Sequence, residues 1–341
     1  PLPSLRQDFA PVSKSVMNWI PPQQGLRRLH ERFVNIGLVI EVRDARISFI
    51  SLAWIRKHDK NDLNTKFDEI VSEKERIIVY NKANLADENM EANVRKVIKK
   101  ESGHPVIFTD SKRNKGIKTI FRKAIAQMYQ GSLRRRLIRA LIVGMPHVGK
   151  HSLIASMRNY GINHGNAPNV RQKISGSNIQ VWHNPLIYIM HPPVNIIPTV
   201  TNPIDVLKFA VTSGMCDQVA DPLLLADYIL WNLNRFSVFK YVHRCNLASP
   251  TDSISEVLES LSSTKVSSTG NKDLQSAARE FIKWFREGLL GRVTLDDVSN
   301  TLAENDDESK NVKDVEGTVL RKMMWERKKK FAKDKLRQSI L

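Results

Sequence analysis

Gly144-Met145-Pro146-His147-Val148-Gly149-Lys150 follows the apolar run Leu141-Ile142-Val143. An apolar strand that feeds a glycine-framed loop ending in Gly-Lys, with a helix after it, is a phosphate cradle. The loop N–H groups and the helix N-terminus favour an anion, and the lysine reaches its terminal phosphates. The residue after such a lysine is Ser or Thr, whose hydroxyl holds magnesium. Here it is His151, and imidazole is a poor ligand for a hard, oxygen-seeking ion. Ser152 stands about 100° further round the helix and cannot simply take over. The spacing predicts a nucleotide-phosphate site at Gly144, Val148, Gly149, Lys150, His151 and Ser152. Its metal chemistry is altered, and no metal ligand is assigned.

A second element, Asn81-Lys82-Ala83-Asn84, closes another apolar run, Ile77-Ile78-Val79-Tyr80. It resembles the Asn-Lys-x-Asp element by which GTPases recognise guanine, where the carboxylate accepts from N1–H and N2–H₂. Asn84 offers one acceptor and one donor instead, so one base contact is lost. A buried donor left unpaired costs about 1–3 kcal/mol, which lowers guanine preference roughly tenfold or more. Ser111, in Thr109-Asp110-Ser111 at the end of the next apolar run, is placed on the same side.

These loops need a sheet to hold them. Residues 36–42, 76–80, 105–108 and 137–143 are short, apolar and β-branched, as buried strands are. Residues 178–182 and 186–190 read as an antiparallel pair around His183-Asn184-Pro185. Helical patterns at 26–35, 90–99 and 117–129 fill the gaps, so a mostly parallel sheet with helices on both faces is expected. From about residue 204 the signals turn helical, clearest at 223–234 and 274–287, with a Ser/Thr-rich connection expected within 249–271. The expected divisions are a Pro-rich arm at 1–24, an α/β domain at 25–245 and a helical C-terminal domain at 246–341 with a basic tail.

The chain has 341 residues, 41% of them hydrophobic, with a formal charge of +18. That is enough apolar material for a large core, and the charge calls for a polyanionic partner, nucleic acid before anionic lipid. Cys216 and Cys245 have no metal spacing and suggest no disulfide framework. No apolar run is long enough to span a bilayer. The sequence begins at Pro1 rather than Met, so any targeting peptide is expected to lie outside it. The run Lys328-Lys329-Lys330 would ordinarily be a solvated helix face; the overall charge moves the reading to RNA contact.

Order is the most specific signal. The base element precedes the phosphate loop, the reverse of an ordinary GTPase. That order, together with Ile40-Glu41-Val42-Arg43-Asp44-Ala45-Arg46-Ile47, Gly144-Met145-Pro146, Ala226-Asp227-Tyr228-Ile229-Leu230 and Phe285-Arg286-x-Gly288-x-Leu290-Gly291, resembles the circularly permuted GTPases of the YlqF/RbgA type, which assemble large ribosomal subunits. The mitochondrial, ribosome-associated branch is nearest in motif spelling. The resemblance implies a circularly permuted P-loop GTPase domain followed by a helical domain.

The departures from the family pattern are systematic. Its Asp-Thr-Pro-Gly is Met190-His191-Pro192-Pro193 here. Met190 cannot hold magnesium through water, and Pro193 has no N–H for the γ-phosphate. No switch threonine is evident between residues 168 and 177. Phosphoryl transfer depends on a metal and positioned donors, so hydrolysis is expected to be lost or very weak and no catalytic residue is assigned. GTP or GDP would bind in weakened form, without the usual magnesium. The partners implied are the mitochondrial large ribosomal subunit and its rRNA. The place implied is the mitochondrial matrix, as a monomer, with the inner-membrane surface as a further option. A pseudo-GTPase that binds rRNA is the main expectation; a slow but active GTPase and a peripheral membrane protein are the alternatives.

Overall fold

A computed structural model describes residues 5–9, 36–48, 74–130, 137–168, 178–191, 203–213, 220–263 and 273–296. All of them fall within one compact unit, Pro1–Asp296; a second unit, Asp297–Leu341, lies outside the described residues. In chain order the elements are β1 (Leu38–Asp44), β2 (Glu75–Asn81), α1 (Met90–Glu101), β3 (Val106–Phe108), α2 (Ile117–Gln130), β4 (Leu137–Gly144), α3 (Lys150–Asn163), β5 (Asn178–Trp182), β6 (Leu186–Met190), α4 (Pro203–Ser213), α5 (Pro222–Arg235), α6 (Lys240–Arg244), α7 (Ile254–Ser263) and α8 (Leu274–Glu287).

The six strands form one sheet in the order β3-β2-β1-β4-β6-β5. All neighbouring pairs are parallel except β5 with β6. The chain winds outward from β1 through β2 to β3, then returns to place β4 on the other side of β1. That reversal opens a crevice beyond the carboxyl ends of β1 and β4, where open α/β sheets take their ligands. The expected helix at 26–35 and the basic tail lie outside the described residues.

Both faces of the central strands are covered, which explains why they read as unbroken apolar runs. Leu38, Ile40, Val42, Ile77, Val79, Ala140 and Ile142 alternate onto one face and join the main core. Each fully buried aliphatic side chain contributes roughly 1.5–3 kcal/mol relative to exposure. On the opposite face of β1, Glu41 and Arg43 are buried as a pair, Nε to Oε1 at 2.6 Å. Arg43 also donates to the Tyr80 hydroxyl at 3.2 Å, and that hydroxyl donates to Ser48 O at 3.0 Å. This internal pairing lets β1 run on to Asp44, two residues beyond the apolar run.

Within the Ser/Thr-rich stretch 249–271, Ile254–Ser263 forms the helix α7, and residues 264–271 lie outside the described residues. Val257, Leu258 and Leu261 bury one face, and the Glu256 N–H donates to Ser253 Oγ at 3.3 Å. Ser253-Ile254-Ser255-Glu256 is a capping-box sequence, a start signal that composition alone obscured. α8 starts at Asp273, whose carboxylate accepts from the Ser276 N–H at 3.1 Å. It buries Ala277, Ala278, Phe281, Ile282 and Phe285 against α5 and α7. At the amino end of the chain, Arg6 pairs with Asp227 of α5 at 2.7 Å and Phe9 meets Tyr228 edge-on. Among the described residues no helix is long and apolar enough to cross a membrane.

Phe281 is fully buried between these helices. Phe281→Ala should lower the unfolding free energy by about 3–5 kcal/mol, read by denaturant titration of far-UV ellipticity. A loss under about 1 kcal/mol would show that α8 is not part of this core.

Candidate functional site

β4 ends at Gly144, and the loop 145–149 carries the chain into α3 at the mouth of the crevice. Gly144 has φ 148°, and a Cβ there would stand 2.2 Å from Val42 O, so only glycine lets β4 leave the sheet this close to β1. Gly149 has φ 95°, and its Cβ would collide with the Asn81 side chain. Met145 and Val148 turn inward and anchor the loop. No side chain caps the start of α3, which leaves its first N–H groups for an anion. Lys150 is folded back, donating to Gly144 O and Met145 O, both at 2.7 Å. Burial pulls its pKa down to about 8.

Asn81, at the end of β2, ties the base element to this loop. Its Nδ2 donates to Val148 O at 3.0 Å. Its Oδ1 accepts from Ser111 Oγ at 2.7 Å, Thr109 Oγ1 at 3.2 Å and the Ser111 N–H at 3.3 Å. One amide therefore closes three strand ends, those of β2, β3 and β4. Ser111 is buried in this bond, and the Asp110 carboxylate caps the turn it begins.

Lys82 takes a left-handed backbone, φ 60°, and its Nζ reaches Asp44 at 2.9 Å. Asp44 also pairs with Arg46, whose Nη2 donates at 2.8 Å and whose backbone N–H donates at 3.0 Å. Burial alone would raise the Asp44 pKa; Arg46 and Lys82 hold it well below the usual carboxylate range. Lys82 is pulled down, first by burial, against the pull of Asp44.

Asn84 lies half-buried in the short 3-10 turn Ala83–Leu85. That turn has a brace for which the sequence carries no signal. Arg292 donates to Ala83 O at 3.1 Å and Ala86 O at 2.9 Å, and the Val293 N–H donates to Leu85 O at 3.1 Å. The exposed His147 at the loop tip has its pKa lowered by burial and then by Lys82, Lys150 and Arg286. Those three cations mark the crevice mouth as positive.

The metal side is built differently. His151 is exposed on the first turn of α3, Ser152 is exposed beside it, and Met190 ends β6 half-buried. His191 follows at 7% exposure, its ring 4.4 Å from that of His151 and tilted by 47°. Burial, then His151 and Lys150, drop the His191 pKa to about 4. Pro192, Pro193, the segment 169–177 and Lys328-Lys329-Lys330 lie outside the described residues. The structure thus gathers Asn81, Ser111, Gly144, Val148, Gly149 and Lys150 tightly, with Lys82 and Asn84 on the base side and His151 on the metal side.

No protein-family model matches the sequence. The chain is 31% identical over 317 residues to mitochondrial ribosome-associated GTPase 1 of Mus musculus, covering 85% of this chain and 93% of that one. It is 29% identical to mitochondrial GTPase 1 of Aedes aegypti, over 86% of this chain and 98% of that one. It is 26% identical to ribosome biogenesis GTPase A of Bacillus cereus, over 82% and 94%. Its fold is similar to the GDP-bound structure of TM YlqF, with a TM-score of 0.51 and 21% identity over 79% of this chain and 98% of that one.

Asn81→Ala removes every bond of the amide and leaves Val148 O and the Ser111 hydroxyl without their partner. Each buried group so orphaned costs about 1–3 kcal/mol. Hydrogen exchange should quicken at least tenfold in 145–150 and 109–113 while mid-β4 amides stay protected. Unchanged exchange in both loops would show that Asn81 does not hold them.

Proposed function

The chain belongs to the circularly permuted GTPases of the YlqF/RbgA type, and on that premise we propose that it acts on the mitochondrial ribosome, in the matrix, as a pseudo-GTPase. In this reading it binds large-subunit rRNA, either as an assembly factor or as a retained component. Names of relatives that specify mitochondria, ribosome association and ribosome biogenesis support the setting. The charge of +18 supports the RNA, because phosphate contacts release counterions from any basic surface. The GTPase-like part is proposed to span 25–245 and the helical part 246–341.

The observation that carries the pseudo-GTPase reading is the His151–His191 contact. Magnesium asks for near-octahedral oxygen ligands at roughly 2.0–2.1 Å. Here the hydroxyl position is His151, the strand end is Met190, and the ring beside His151 is a second imidazole, His191. The residues present do not fit magnesium, so no hydrolytic step runs through it. What remains can bind. Lys150 can leave Gly144 O and Met145 O for a phosphate, the α3 N–H groups face the same anion, and Asn84 keeps one of two guanine contacts. The intact Lys150 and Asn81 geometry also favours a second reading, a slow GTPase.

Purified mitochondrial large subunits separate the two. The chain should co-sediment at low salt and dissociate as salt rises, with no phosphate release from GTP above the subunit-free rate. Ribosome-stimulated turnover that Lys150→Ala abolishes would overturn the pseudo-GTPase reading. Failure to co-sediment at low salt, with retention on anionic vesicles, would overturn the ribosomal one.

The basic tail carries its own outcome. Replacing Lys328, Lys329 and Lys330 by Glu should weaken the association and flatten its salt dependence without lowering the melting temperature. Co-sedimentation equal to that of the parent would remove the tail from the interface.

A further inference from the structure

The imidazole rings of His151 and His191 take no part in the hydrogen bonds that fold the phosphate loop, yet they meet at a defined point. His151 rises from the first turn of α3, fixed by β4 and the loop. His191 follows β6, which is paired in parallel with β4. The two rings stand 4.4 Å apart at 47°. His191 is 93% buried, from its 7% exposure, and its Nε2 has no hydrogen-bond partner. A buried nitrogen without a partner is destabilising unless something fills the role. His151 is exposed.

We propose that His151 and His191 form a binding site for a borderline divalent transition metal of the zinc and cobalt class, in the crevice beside the phosphate loop. Imidazole suits such ions and does not suit magnesium. Zinc sits about 2.0–2.1 Å from an imidazole nitrogen, so two coordinating nitrogens lie roughly 3.0–3.5 Å apart by that geometry. Rings with centroids 4.4 Å apart would share such an ion with one nitrogen of each turned toward it. Among the described residues no three His, Cys, Asp or Glu side chains converge. The described residues therefore supply two neutral ligands, with water or an anion completing the coordination. That makes the site open and exchangeable rather than structural. Lys150 stands close and its charge opposes the ion, so phosphate oxygens from an anion in the cradle should tighten metal binding. By linkage, the metal should tighten anion binding by the same factor. Metal binding itself does not rest on the nucleotide reading.

The test uses the full, tag-free chain and Co²⁺ alone, followed by visible absorption and calorimetry, then repeated with inorganic pyrophosphate. One equivalent of Co²⁺ should bind and be displaced by Zn²⁺ but not by millimolar Mg²⁺. His151→Ala and His191→Ala should each weaken it at least as much as the roughly 10- to 100-fold that follows loss of an outer-shell partner. The exposed His164 and His183, changed to Ala, should leave it intact. His151 is on the surface, so His151→Ala keeps the test valid should His191→Ala fail to fold. Co²⁺ affinity unchanged in His151→Ala, or displacement by Mg²⁺, overturns the proposal. Pyrophosphate without effect on a normal Co²⁺ titration would overturn only the coupling.

Discussion

The side-chain amide of Asn81 is bound on both its ends inside the protein, giving one N–H to Val148 O and taking from Thr109 and Ser111. Three parallel strands end together, and parallel strands have no tight turns to fix their ends relative to one another. The amide does that here. Its position against Gly149, where a Cβ would overlap it, sets how closely the phosphate loop approaches β2. Every later feature depends on that spacing: the direction of α3, the place of Lys150 and the depth of the crevice.

Charge is handled by the same economy of partners. Asp44 is buried with Arg46 and Lys82; removing it would strand two cations, typically about 3–5 kcal/mol for a broken buried pair. Because its pKa is depressed in the fold, its contribution is fully present above the ordinary carboxylate range and is lost progressively as pH falls from that range through the depressed folded value. Lys82 is thereby committed to structure, and Arg292 holds the adjoining Ala83–Leu85 turn. The base side of the crevice is a rigid wall. The metal side is where the chain has changed its chemistry, from oxygen to nitrogen and sulfur, while the phosphate cradle between them keeps its form. In the proposed reading, a site that keeps the cradle without a seat for magnesium holds an anion without activating it.

Much of this fold is legible in the residues alone. The apolar runs mark the strands to within two residues, and β5 and β6 to the residue, because buried strands carry their pattern in consecutive side chains. Gly144, Gly149 and Lys150 announce the cradle, since only glycine fits the two close approaches that the sheet imposes. What stays hidden in the sequence consists of contacts between distant positions. Nothing in periodicity couples Lys82 to Asp44, Arg292 to Ala83, or His151 to His191; the sheet order makes the first and last pairings, and the segment that follows α8 makes the second. The α7 start is legible in Ser253 and Glu256, but the serine and threonine content around it outweighs the cap.

A phosphate cradle without a magnesium seat is tested most directly by nucleotide titration. Calorimetry of GDP and GTP against the full chain, with saturating Mg²⁺ and again with EDTA, should give dissociation constants within about threefold of each other, a difference under about 0.7 kcal/mol. Tightening by Mg²⁺ of tenfold or more, about 1.4 kcal/mol, would show that the crevice still holds the ion and that the seat for it has not been lost.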